Sequence, residues 1–214
     1  MGVRLAGGDV VPLSGPRSGR APSALSVGFD WTPPATSRAD FELDASALML
    51  DASGAVLSED HFIYFNNPRS PDGAVEHRGP AADAPGETID VDLAAVPDRC
   101  ARIAFPISIF DAANRAQHFG HVGAVSIQIT TPSAAIAPQD DASQDDASHD
   151  DASQDGAELA RFDLPPDPNE RERATAVLMG ELDRRGDGWT FRAVGRGYPG
   201  GLRELVTDHG LPTR

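Results

Sequence analysis

The chain is cut into short extended runs, and that punctuation limits the fold more than any other feature. "ALSVGFDW" (24–31), "FELDASALML" (41–50), "HFIYF" (61–65), "ETIDVDL" (87–93), "RIAFPISIF" (102–110) and "VGAVSIQIT" (122–130) alternate or are apolar throughout, with turn signals between them. "ELARFDL" (158–164), "TAVLMGEL" (175–182) and "GWTFRAVG" (188–195) continue the series, and "RRGDG" (184–188) reads as a hairpin turn between the last two. Successive side chains of a strand point to opposite faces, so a period of two marks a half-buried strand. The chain has 21 glycines and 18 prolines, which break longer elements. Only "GGLRELVTDHG" (200–210) reads as a helix, with Leu202, Leu205 and Val206 on one face and Gly210 as its stop. The pattern predicts a mainly β protein, an antiparallel β-sandwich with one short C-terminal helix.

The series is interrupted by "QDDAS QDDAS HDDAS QDGAE" (139–158), a five-residue acidic repeat without a large apolar side chain. Such a tract cannot bury enough surface to offset its ordering entropy, so disorder is expected over 139–156. Residues 1–138 and 157–214 then form a single domain around that insertion. Its length is tolerable because loop-closure entropy grows only logarithmically.

The formal net charge is −15, from 33 acidic and 18 basic residues, and every basic residue is arginine. An acidic field repels nucleic-acid backbones and anionic membranes and attracts cations. Nucleic-acid partners are therefore not expected. No run approaches the ~18 apolar residues of a transmembrane helix, and no signal-peptide core is present. Ala6 stands where a myristoylation motif needs Ser or Thr. Cys100 is the only cysteine; it precludes an intramolecular disulfide and reads as a core residue. A cytoplasmic protein without membrane insertion is expected.

Catalytic motifs are weak. "GRGYPG" (195–200) satisfies a dinucleotide-loop pattern, but the chain ends before the required downstream acid, so it reads as a glycine-rich turn. His118 and His121 lack the third and fourth ligands of a zinc site. There is no nucleophile elbow. A non-enzymatic protein is expected.

The acidic start of the second run is more specific. In "ADFELDASALML" (39–50), Asp40, Glu42 and Asp44 share one side of a strand, while Phe41, Leu43 and Ala45 share the other. After Ser46 the same run is apolar on both faces, so the acids gather at one end of a buried strand. "FNNPRSPDG" (65–73) adds Asn66, Asn67 and Asp72, and "ADAPGETID" (82–90) adds Asp83 and Glu87. Calcium takes six to eight hard oxygens, and a sandwich collects its loops at its two ends. These residues suit either a calcium site or a solvated acidic rim.

Six motifs stand in order along the chain: "FELDASA" (41–47), "YFNN" (64–67), "SPDGAVEHRG" (70–79), "IFDAANRAQHFGHV" (109–122), "ELARFDL" (158–164) and "GELDRRGDGWTFRAVGRG" (180–197). By these the chain resembles the TerD-domain family of tellurium-resistance and bacterial stress proteins. The motifs span nearly all of the chain outside the repeat. The resemblance implies a TerD-type sandwich that binds calcium and acts in stress resistance through other stress or tellurium-resistance proteins. It carries calcium ligands over to Glu42, Asp44, Asn66, Asn67, Asp72 and Glu87, with Asp83 as a neighbouring acid. The loop "GPAADAPGE" (79–87) departs from the family pattern: Pro80 and Ala81 replace an Asp-Asn pair, and Glu87 alone remains of an acidic triplet. The alternative is a relative that has kept the fold as a protein-interaction module and lost the metal.

Overall fold

A computed structural model describes residues 2–13, 22–32, 41–80, 86–132, 156–166, 171–186 and 188–212. In chain order the strands are β1 (Val3–Leu5), β2 (Val10–Pro12), β3 (Ala24–Trp31), β4 (Leu43–Ala45), β5 (Ala47–Leu50), β6 (Phe62–Ile63) and β7 (Val75–Pro80). Then come β8 (Gly86–Asp92), β9 (Arg102–Ile109), β10 (Val125–Thr130), β11 (Glu158–Asp163), β12 (Ala176–Arg185) and β13 (Gly188–Tyr198). The helices are α1 (Ala112–Arg115) and α2 (Gly201–Asp208). The expected insertion lies outside the described residues except for Gly156, which forms a turn before β11.

The strands form two sheets, one ordered β1-β11-β10-β3-β8-β7 and the other β2-β13-β12-β9-β5-β6, with β4 also on β9. Among the described residues every pairing is antiparallel except that of β1 with β11. This is the β-sandwich that the alternation predicts. Along β3, Leu25, Val27 and Phe29 are buried while Asp30 on the other face is exposed. They share the intersheet core with Ile103, Phe105 and Ile107 of β9 and with Trp189 and Phe191 of β13. Cys100 lies in the same core, where burial pushes its thiol up to about 11.

The second sheet is covered on its outer side as well. Leu48, Leu50, Ala104, Ala176, Leu178 and Tyr198 pack with Leu205, Val206 and Leu211, and Leu202 adds its flank. Helix α2 therefore explains the doubly apolar "ALML": Ala47 and Met49 face the intersheet core, and Leu48 and Leu50 face the helix. Beyond the helix the same outer face carries Glu181 and Asp183, both buried, against Arg102 and Arg192.

Pro106 occupies an interior strand although proline lacks a ladder donor. Its carbonyl still accepts from Ser46 N–H, at 2.9 Å. On its other side β12 bulges between Leu178 and Gly180. In an antiparallel ladder a residue's N–H and C=O point to the same neighbour, so the missing donor falls on the Ser46 side, at the break between β4 and β5. Across the same bulge, Gly195 adopts φ 72°, a conformation that favours glycine.

Some elements depart from the sequence reading. "GRGYPG" is not a turn throughout: β13 continues to Tyr198, and only Pro199 and Gly200 turn into α2. In "HFIYF" only Phe62–Ile63 is strand, because Tyr64 and Asn67 exchange backbone hydrogen bonds and close a tight hairpin. Strands β1 and β2 are too short for a two-residue period to register, and β7 reads as a loop because Arg78, Gly79 and Pro80 fill its second half.

Candidate metal centre

The acidic strand start is placed by β9. Phe110 N–H donates to the Glu42 carbonyl at 2.9 Å, Leu43 pairs with Ile109, and Asp44 pairs with Ser108. Leu43 and Ala45 are buried in the intersheet core, so Glu42 and Asp44 point to the outer face. Glu42 is largely exposed, with a carboxylate oxygen 4.0 Å from Arg115. Asp44 is half-buried. Asp40 lies outside the described residues.

Hydrogen bonds to β9 alternate along an antiparallel ladder. Since Glu42 and Ser46 bond to β9, Ala45 N–H points off the free edge of β4. Glu87, from the other sheet, accepts that N–H on Oε2 at 2.6 Å. The same oxygen lies 3.2 Å from His77 Nε2, and His77 Nδ1 accepts from Gly79 N–H at 3.2 Å. A ring nitrogen that accepts carries no proton, so His77 offers its Nε2–H to Glu87. Glu87 and His77 are both buried. One buried carboxylate therefore clasps the two sheets at the edge of β4.

Asp44 responds to this setting. Burial, then the charge of Glu87, then that of Glu42 push its carboxyl up from 3.8 to about 6, and His77 opposes them weakly. Glu87 and Glu42 are thus the two carboxylates whose charge bears on Asp44.

The other expected ligands are placed differently. Asn67 uses its side-chain amide on the carbonyls of Asp60 and Phe62, at 3.1 and 2.7 Å, and so clamps its own hairpin. Asn66 is exposed at the tip of that hairpin. Asp72 accepts from Ser70 Oγ at 2.7 Å and from Ala74 N–H at 2.9 Å, and its second oxygen lies 3.3 Å from His61. Because β7 pairs Val75 with Val91 but Pro80 with Glu87, Asp72 and Glu87 sit toward opposite ends of the first sheet. Asp83 lies outside the described residues. Among the described residues no three His, Cys, Asp or Glu side chains form a metal-holding group.

Sequence reasoning missed His77. Its signal was present, since it falls two residues after Val75 on the inward face of "VEHRGP". The rings of His118 and His121 lie with centroids 3.7 Å apart and are tilted by 33°. Burial and the neighbouring His121 hold His118 below the usual imidazole range.

The clasped double sheet and its acidic strand start correspond to a known domain: the sequence pattern of the TerD domain matches residues 1–145 and 148–209. The chain belongs to the TerD-domain family. It is 35% identical over 215 residues to the tellurium resistance protein TerD of Serratia marcescens, covering 99% of this chain and 98% of that one. It is 33% identical to general stress protein 16U of Bacillus subtilis over the same shares. The crystal structure of a homologue of telluride resistance protein from Streptomyces coelicolor A3(2) matches with a TM-score of 0.60 at 19% identity, covering 90% of this chain and 100% of that one. The last match supports the TerD fold alone. Among the described residues no helix is long and apolar enough to cross a membrane.

Proposed function

We propose that this TerD-domain protein is a non-enzymatic, cytoplasmic stress-response protein that binds one calcium ion weakly at the β4 edge and acts through partner proteins. The observation that carries the reading is the placement of half-buried Asp44 at the β4 edge, next to Ala45 whose N–H holds Glu87, with burial and the charges of Glu87 and Glu42 pushing its carboxyl up. Carboxylates crowded this way repel when ionised, and a hard divalent cation removes the repulsion. The donor set fits calcium in kind. It falls short in number of the six to eight oxygens calcium takes, so backbone and water would complete the shell. Asp44 and Glu42 would be the principal ligands, with Glu87 adding charge from a position fixed by Ala45 N–H and His77.

Affinity on the order of 10⁻⁵ to 10⁻³ M is expected from so few carboxylates. Calorimetric titration with calcium, and separately with magnesium, tests the reading. Saturable calcium heat in the wild type, weaker heat with magnesium and none in Asp44→Asn is the expected result. A second reading, a protein-interaction module without the metal, is favoured by Asn67 and Asp72 being engaged in internal bonds. Absence of calcium heat in the wild type would select it.

A further inference from the structure

The second sheet ends in an aromatic edge. Among the described residues β6 is the edge strand of that sheet and pairs only with β5. Its alternation turns Ile63 into the intersheet core and Phe62 to the outer face, against the cluster that α2 covers. The Phe62 and Tyr64 rings stack with centroids 4.8 Å apart, and Phe65 meets Tyr64 edge-on at 5.5 Å. Phe65 stays 51% exposed. Its ring continues two others, so it belongs to a contiguous aromatic patch and is not a scattered surface residue.

A groove of about 440 Å³ lies between this edge and the end of α2. Phe62 and Tyr64 line it from the hairpin, Val206 and Leu211 from the helix and the residues after it, and Glu59 and Asp60 from the short turn before β6. The lining is mixed, with rings and aliphatic groups beside two carboxylates. Both acids are exposed. Among the described residues neither meets a basic side chain. Asp90, Asp163, Glu181 and Asp183, by contrast, each lie within 3.0 Å of an arginine nitrogen.

We propose that this groove docks a basic segment of a partner protein, with an arginine of that segment lying along Phe62 and Tyr64 and its guanidinium on Glu59 and Asp60. An arginine side chain joins a long aliphatic stem to a planar cation that pairs with carboxylates and packs on aromatic rings. Phe65, in contact with Tyr64, offers a neighbouring residue of the segment an apolar surface. The net charge of −15 draws a basic chain toward the protein and opposes a second copy of it. Docking here rests on the partner action proposed above, not on the calcium site.

The test uses the full chain in EDTA and a fluorescein-labelled peptide of alternating arginine and leucine, read by anisotropy. A peptide with citrulline for arginine keeps the shape and removes the charge. The arginine peptide should bind saturably, and the citrulline peptide at least about tenfold more weakly. Glu59→Gln with Asp60→Asn keeps the shape of two exposed side chains, so this variant folds, and it should weaken the arginine peptide about tenfold. Phe65→Ala should weaken it as well. Asp98→Asn with Glu172→Gln removes the same charge from exposed positions outside the groove and should leave binding within about twofold. No binding by the wild type, equal loss in the two double variants, or undiminished binding in the groove variants, as attachment to the acidic repeat would give, overturns the proposal. So does butylguanidinium binding as tightly as the peptide, which makes the groove a small-molecule site, or a wild-type dimer in sedimentation that Glu59→Gln with Asp60→Asn dissolves. Peptide binding that the groove variants leave unchanged removes this docking site and leaves the partner action standing, while calcium heat reports on the metal alone.

Discussion

Replacing Asp44 by Asn should stabilise the metal-free protein at neutral pH. In the folded state the carboxyl titrates at about 6 instead of 3.8. Between these values the native state holds more protons than the unfolded chain, so stability falls as pH rises. Above the folded value the full penalty is present; below the unfolded value it vanishes. A shift of that size corresponds to at most about 3 kcal/mol. Asp44 is only half-buried, and solvent screening reduces the expected effect to about 1–2 kcal/mol. Asn keeps the side-chain shape and drops the charge, so the Asp44–Ser108 pairing is undisturbed. Urea denaturation of both proteins in EDTA, from about pH 4 to about pH 8, measures the difference. The variant should match the wild type at the acidic end and exceed it by about 1–2 kcal/mol at the other. Millimolar calcium should then stabilise the wild type selectively and narrow the gap. A variant less stable at pH 8, or a gap independent of pH, would refute the idea that Asp44 is an ion under repulsion.

Asp183 should behave with the opposite sign. Burial pushes its carboxyl up, but the hydrogen bond and charge of Arg102, followed by Arg192, outweigh burial and hold it below 3.8. Its contribution is therefore present above the unfolded value and lost as pH falls through the folded one, so Asp183→Asn should cost about 1–3 kcal/mol at pH 7 and less in acid, read from urea melts. Trp189 is buried under the Arg184 guanidinium, 4.6 Å from its ring centroid, so Trp189→Ala should cost about 3–5 kcal/mol in the same assay. A loss below about 1 kcal/mol would mean that the ring is not a core group.

The side of a strand on which each residue lies was legible without coordinates. Leu43 against Asp44, Trp189 against Thr190, and the Leu202–Leu205–Val206 face all follow from a local period, because strand and helix geometry repeat over a few residues. The doubly apolar "ALML" likewise announced a strand covered on both sides. What covered it was not legible, since α2 lies more than a hundred residues further along and only the folded register brings Leu48 beside Leu205. The candidate site divides in the same way. Asp44 and Glu42 could be placed side by side from their spacing, but the Glu87 bond to Ala45 N–H crosses from one sheet to the other. Asp72 read as a ligand until the loop turned it onto Ser70, Ala74 and His61. Side-chain direction is a property of the local backbone, whereas the identity of a partner, or the lack of one, depends on which distant segments the sheet register places together.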